Sequence, residues 1–164
     1  MSIQTAEYID VQQRAVELGC NVPTKLAFLP INFEEAKIND DLVFEDSVLT
    51  LRKLWRKAGI AETRIEKEGK QISYEQKKSL DVILPTVFIS FSLLSQNPTL
   101  VTLALSIISN YVTDFFKGMI GERKIMIDIV VEQDEEKKSK RIRYEGNAEG
   151  LTTLAQVIKE LKDL

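Results

Sequence analysis

Residues 82–113, VILPTVFISFSLLSQNPTLVTLALSIISNYVT, contain no charged side chain, and the nearest charges are Asp81 and Asp114. Nothing comparable occurs elsewhere in the chain, so the fold must bury this segment or deliver it to a partner. Pro98 divides it. Residues 86–95 read as a short apolar helix, with a buried strand as the second choice, and Pro85 suits a first helical position because its missing N–H had no intrahelical partner. Asn97 precedes a proline, which disfavours the α region at that residue, and its side chain can accept from the free N–H groups of a new first turn. A second helix is therefore expected from Pro98 to about Lys117, stopped by Gly118.

That helix carries a broad apolar face: Leu100, Val101, Ala104, Ile107, Ile108, Tyr111, Val112, Phe115 and Phe116 recur at helical spacing. Thr102, Ser106, Ser109 and Thr113 line the other side. At roughly 1.5–3 kcal/mol per large side chain buried, the face supplies on the order of 10 kcal/mol before ordering entropy is subtracted. The helix approaches the ~20 residues a membrane span needs. Its hydroxyl strip and Asn110 lower its hydrophobicity, and Pro98 leaves the preceding segment too short to span. A core helix kept dry by its own flanking elements or by a protein neighbour is the expectation, with Leu103, Ile107 and Phe115 out of solvent. Membrane action of residues 86–116 is the alternative.

After Gly118 the period changes to two. Ile125, Ile127, Ile129 and Val131 point one way; Met126, Asp128, Val130 and Glu132 point the other. Residues 134–138 are a charged turn, and residues 139–145 form an antiparallel partner strand with Ile142 and Tyr144 inward and Arg141 and Arg143 outward. Asp128 and Glu132 are expected to oppose these arginines. Leu151, Leu154, Ile158 and Leu161 mark a closing helix capped by Asn147. Two strands alone are marginal in water, so the hairpin must pack on helices.

Towards the N-terminus, residues 5–18 read as an amphipathic helix through Tyr8, Val11, Ala15 and Leu18. Residues 25–29 are short and extended, Asn32 with Glu35 has capping-box spacing, and residues 39–41 form a turn. A clearer helix is capped by Asp46 or Ser47 and followed by Gly59, with Val48, Leu51, Leu54, Trp55 and Ala58 as its stripe. Arg52, Lys53, Arg56 and Lys57 crowd its last turns, where cations complement the helix dipole. A basic helix with a tryptophan also suits a partner or a membrane surface. Residues 63–67 and 71–75 flank Glu68-Gly69 as a hairpin.

Length places the 164 residues in one domain, with a helical part over about 1–80 and the central helices and ββα unit over about 81–164. The formal net charge of −3 gives no general pull toward nucleic acid or anionic lipid. The start, Met-Ser-Ile-Gln-Thr-Ala-Glu, lacks a basic n-region and an apolar h-region, so a cytoplasmic protein is expected. The chain has no histidine and one cysteine, Cys20. This removes Ser-His-Asp and Cys-His chemistry, any intrachain disulfide and the common zinc sites.

Three chemical motifs remain. Gly118-Met119-Ile120-Gly121, flanked by Lys117 and Arg123, resembles the GxxG loop of KH domains. That loop joins two helices, whereas these glycines stand between helix and strand, so a helix stop and turn is the reading. Asp128, Glu132 and Asp134 with Lys137 and Lys138 are similar to the acids and lysine of metal-dependent nucleases. Those lysines fall in a turn, so a solvated face is favoured. The basic patch over residues 137–143 is interleaved with acids and has one aromatic, Tyr144. No catalytic, cofactor or metal set is assigned.

The expectation is an α+β protein: a mainly helical N-terminal half, a long central apolar helix, and a C-terminal antiparallel β-hairpin packed with a terminal helix. Its function is read as non-enzymatic protein interaction, as an accessory or assembly subunit or a homo-oligomer. The contact residues proposed are Trp55, Arg52, Arg56, Tyr111, Phe115, Phe116, Arg141 and Arg143.

Overall fold

The alternating segment after Gly118 builds the centre of the fold. In the computed structural model, which describes residues 2–70, 72–76, 82–117, 124–134, 136 and 138–162, two strands form a hairpin there. They are Ile125–Glu132 and Ser139–Gly146, paired antiparallel with Ile129 opposite Ile142 and Asp128 opposite Arg143. In chain order the elements are β1 (Ser2–Tyr8), α1 (Val11–Glu17), β2 (Leu26–Leu29), β3 (Val43–Glu45), α2 (Val48–Lys57) and β4 (Ser73–Glu75). They continue with β5 (Val82–Ile83), β6 (Thr86–Ile89), α3 (Phe91–Gln96), α4 (Pro98–Phe116), β7 and β8 (the hairpin) and α5 (Leu151–Lys162). The main sheet runs β1-β8-β7-β6-β2, with β5 also on β7; β6 and β5 are parallel to β7, and the other neighbours are antiparallel.

The chain is α+β overall, but its first half is not mainly helical. Residues 5–18 divide: β1 pairs with β8, and only α1 is helical, capped by Asp10, whose side chain accepts from the Gln13 N–H at 3.0 Å. The helical spacing from Tyr8 to Leu18 is real only from Val11 onward. Among the described residues, 63–67 and 72–75 form no hairpin; β4 pairs parallel with β3, while Thr63 and Ile65 bond to Leu26 and Asn21. The short extended piece at β2 and the helix α2 lie where expected, and α2 ends before Gly59 at φ 77°. Neither Asp46 nor Ser47 caps α2 through its side chain. Glu45 instead accepts from the Ser47 N–H at 3.0 Å and from its hydroxyl. Asn32 likewise caps no helix; it bridges Asp41 and Val43, fixing a turn.

The uncharged stretch also differs in its first part. Thr86–Ile89 is strand, and only Phe91–Gln96 is helix, capped by the Ser90 hydroxyl. Because β6 lies between β7 and β2 with both faces covered, it shows no alternation, and a short apolar run cannot be told from helix by periodicity. The second part forms α4 with Asn97 as N-cap, accepting from the Leu100 N–H at 3.2 Å, and Pro98 in its first turn. The expected stop at Gly118 lies outside the described residues.

One face of the sheet presents Phe28, Val87, Ile127, Ile129, Ile142 and Tyr144, all buried. Over it sit α2, α4 and α5. Trp55 of α2 is fully buried, stacks on Phe28 at 4.2 Å and donates its indole N–H to the Ala104 carbonyl of α4 at 3.2 Å. Val101, Ala104, Leu105, Ile108 and Val112 form the inner side of α4. Before α5, the Tyr144 hydroxyl donates to the Asn147 carbonyl at 2.6 Å, and Asn147 Oδ1 accepts from the Gly150 N–H at 2.9 Å. A side chain at Gly150 would strike the buried Tyr144 ring.

The opposite face carries Ala27, Phe88 and Val130 beneath α1 and residues 30–42, where Val11, Ala15 and Phe33 supply apolar cover. That cover does not extend to Asp128, Arg141 and Arg143.

Candidate functional site

Of the contact residues expected from sequence, two are structural. Trp55 is core. Arg52 is 4% exposed and bonds Glu66 through two nitrogens at 2.7 and 3.1 Å. Its Nε also lies 3.0 Å from Glu62 Oε1, off the hydrogen-bond line, and its guanidinium sits 5.2 Å above the Phe44 ring. Burial pushes the Glu62 carboxyl up, and Arg52 pulls it back. Arg56 is exposed, one residue beyond this buried helix face. Arg52 is thus set apart from Lys53, Arg56 and Lys57, which are exposed.

Tyr111, Phe115 and Phe116 do come together at the end of α4, with ring centroids 6.4 and 5.7 Å apart. Of the two covers expected for the middle of the chain, its own flanking elements or a protein neighbour, the first leaves part of α4 open. Leu103 is 43% and Phe115 47% exposed, and Ile107 is half-buried. The reason is geometric: α4 has one sheet to pack on, and its apolar residues extend around more of its circumference than α2, α5 and the sheet cover. The hydroxyl strip is satisfied locally. Thr102, Ser106 and Thr113 donate to carbonyls one turn back at 3.3, 2.9 and 2.9 Å, and Ser109 reaches Ala148 at 3.2 Å. By length and composition α4 could cross a membrane, yet a third of its most apolar window is buried inside the fold.

Arg141 and Arg143 belong to a different place: a groove of about 220 Å³ on the sheet's second face. Its floor is Asp128, Arg141, Arg143 and Tyr8, and Glu34, Glu35 and Glu45 also line it. Asp128 and Arg143 form a forked pair at 2.8 and 2.9 Å, as their opposition in the hairpin predicts. Arg141 instead stands opposite Val130 and Ala6 and forms no ion pair among the described residues; its Nε is shut off from solvent without a partner. Burial and the carboxylates of Glu34, Asp128 and Glu35 push the Tyr8 phenol up, against Arg141. Burial also raises Glu45 to about 7, assisted by Asp46 and opposed by its bonds from Ser47.

The groove's far wall is fixed by a residue that sequence reasoning passed over. Arg14 of α1 donates to the carbonyls of Phe33 at 3.0 Å, Glu34 at 3.1 Å and Ala36. Its only sequence signal was a basic residue on a helix followed by a loop with acids, which is common. The hairpin acids do not converge. Asp128 is held by Arg143, while the buried Glu132 accepts from Gln12 Nε2 and the Phe91 N–H at 3.0 and 3.1 Å. Among the described residues no group of three His, Cys, Asp or Glu side chains is arranged to hold a metal ion. The glycines at 118 and 121 lie outside the described residues. The fold defines a mixed-sheet α+β protein with an uncharged helix face on one side and a charged groove on the other. No protein-family model matches the chain, and no curated protein or solved structure matches it.

Proposed function

We propose that the chain is a non-enzymatic interaction module that works as an assembly subunit, and that α4 joins it to a second copy of itself. The observation that carries this reading is the outer face of α4. Leu100, Leu103, Ile107, Tyr111 and Phe115 stand three or four residues apart, half-buried or exposed, with no charge among them. Contiguous apolar surface of this kind marks contact sites, and such spacing is that of a helix seam. The row is self-complementary. Two antiparallel copies related by a two-fold axis at Ile107 set Leu103 against Tyr111 and Leu100 against Phe115, with no like charges opposed. Size-exclusion chromatography with light scattering tests it. The wild type is expected to be dimeric, and Leu103→Glu and Phe115→Glu monomeric with unchanged circular dichroism. A wild type that stays monomeric at high concentration overturns the reading. Co-flotation of the wild type with liposomes would assign the same row to lipid instead.

A further inference from the structure

The sheet's second face is where the fold leaves charge unmatched. Within the groove, Arg143 is neutralised by Asp128 at 2.8 Å, but Arg141 has no such partner among the described residues. The Arg141 Nε is closed off from solvent, so a ligand in the groove meets the two terminal guanidinium nitrogens, whose charge no carboxylate among the described residues pairs. The Tyr8 hydroxyl forms no hydrogen bond among the described residues, and its electrostatic neighbours are Glu34, Asp128, Glu35 and Arg141. Glu34 and Glu35 line the same space and form no ion pair among the described residues. The site thus offers two free donors, Arg141 and Tyr8, and two free carboxylates, Glu34 and Glu35. The main chain that carries them is held, because Arg14 ties down their loop at the Phe33, Glu34 and Ala36 carbonyls.

We propose that this groove binds a small zwitterion of the α-amino acid type, its carboxylate on Arg141 and Tyr8 and its ammonium on Glu34 and Glu35. The charge pattern selects this class. A phosphate would bring two negative charges beside Asp128, Glu34 and Glu35, whereas a carboxylate brings one, and an ammonium on the same molecule offsets it against the glutamates. A simple cation would satisfy the glutamates and leave the Arg141 charge without a counter-ion. The volume of about 220 Å³ holds about seven waters at ~30 Å³ each, which suits a free amino acid better than a longer chain. This inference does not rest on the α4 interface.

Thermal shift and isothermal titration on the whole protein test it, with L-alanine, L-serine and glycine as probes. At least one of them is expected to raise the melting temperature, since a ligand that binds only the folded state stabilises it. Propionate and L-alaninamide, each lacking one charge, are expected to bind roughly tenfold or more weakly. Arg141→Gln should weaken the amino acid by roughly ten- to a hundredfold while leaving the unliganded melting temperature in place. If that variant folds poorly, Glu34→Gln with Glu35→Gln on the exposed loop serves instead and should weaken alanine more than propionate. Dialanine distinguishes the source: equal or tighter binding than alanine assigns the pocket to a peptide end, within the same zwitterion chemistry. No response to any amino acid or dipeptide overturns the proposal. So does a response to inorganic phosphate alone, or alanine binding that survives Arg141→Gln unchanged.

Discussion

The two faces of the same sheet are built to different ends, and strand β7 shows it residue by residue. Its odd-numbered side chains, Ile125 to Val131, are all buried beneath helices. Its even-numbered side chains pass from Met126 and Asp128 at the open groove to Val130 and Glu132 under α1. Alternation in a strand is usually read as core on one side and water on the other. Here the polar side is a second, half-finished layer in which charges are fixed by specific partners: Asp128 by Arg143, and Glu132 by Gln12 and Phe91. The first face supplies stability through area. The second supplies position, and it stops where the groove begins.

The largest effect should come from the helical face. Trp55→Ala removes a fully buried ring stacked on Phe28 and leaves the Ala104 carbonyl without its indole donor; it should cost about 3–5 kcal/mol in urea unfolding. A loss under about 1 kcal/mol would mean that α2 is not anchored through this residue, and the contrast between the faces would collapse. Somewhat smaller, about 3 kcal/mol, is the expected cost of Arg52→Ala, because it leaves Glu62 and Glu66 buried without their counter-charge. That cost should shrink as the solution is acidified, since burial already pushes the Glu62 carboxyl up and the variant lacks the charge that pulls it back. A cost that does not change with pH would show that water reaches the two acids.

How far the sequence disclosed this contrast depends on the element. The hairpin, α2 and α4 were legible because their periods are long and clean, and Asn97-Pro98 marks a boundary that the fold uses. The strands β1 and β6 were not. Ser2–Tyr8 has only Ile3 and Tyr8 half-buried, so its place rests on main-chain pairing with β8, which leaves little side-chain pattern. Thr86–Ile89 is hidden for the opposite reason, being covered on both faces. The groove was half legible: Arg141 and Arg143 were visible as outward residues of one strand. Their different fates depend on the cross-strand register, which sets Asp128 opposite one and Val130 opposite the other. Tyr8, Glu34 and Glu35 arrive from elsewhere in the chain, which no local spacing reveals. Trp55 and Arg52 misled because a tryptophan is as much at home in an apolar core, and an arginine in a buried ion-pair network, as at an interface.

Glu45 sharpens the comparison through pH. Its carboxyl lines the groove, and burial lifts its pKa to about 7 from an ordinary 4.5. A raised carboxyl binds its proton more tightly folded than unfolded. Its stabilising contribution is therefore complete below about pH 4.5 and is lost as the pH rises through about 7. With water reaching the groove, the loss is roughly 2 kcal/mol across that window. Glu45→Gln keeps an acceptor for Ser47 and has nothing to ionise, so its stability should lose that slope and exceed the wild type's at pH 8. Parallel pH profiles for the two proteins would place Glu45 in water, and the second face would then be more open than its geometry implies.

The smallest effect is expected on the outer side of α4, and its dependence on concentration makes it informative. In dilute solution Phe115→Ser should change stability by no more than about 0.5 kcal/mol, because the ring is 47% exposed and its ring partners, Tyr111 and Phe116, lie on the same helix. If two copies bury that ring between them, the wild type gains stability as its concentration rises and the variant does not, so their melting temperatures diverge. A gap that is large when dilute and constant on concentration would put Phe115 inside its own fold. The inner row of α4, from Val101 to Val112, and the outer row would then be one continuous core, and the dimer seam would have no surface left to use.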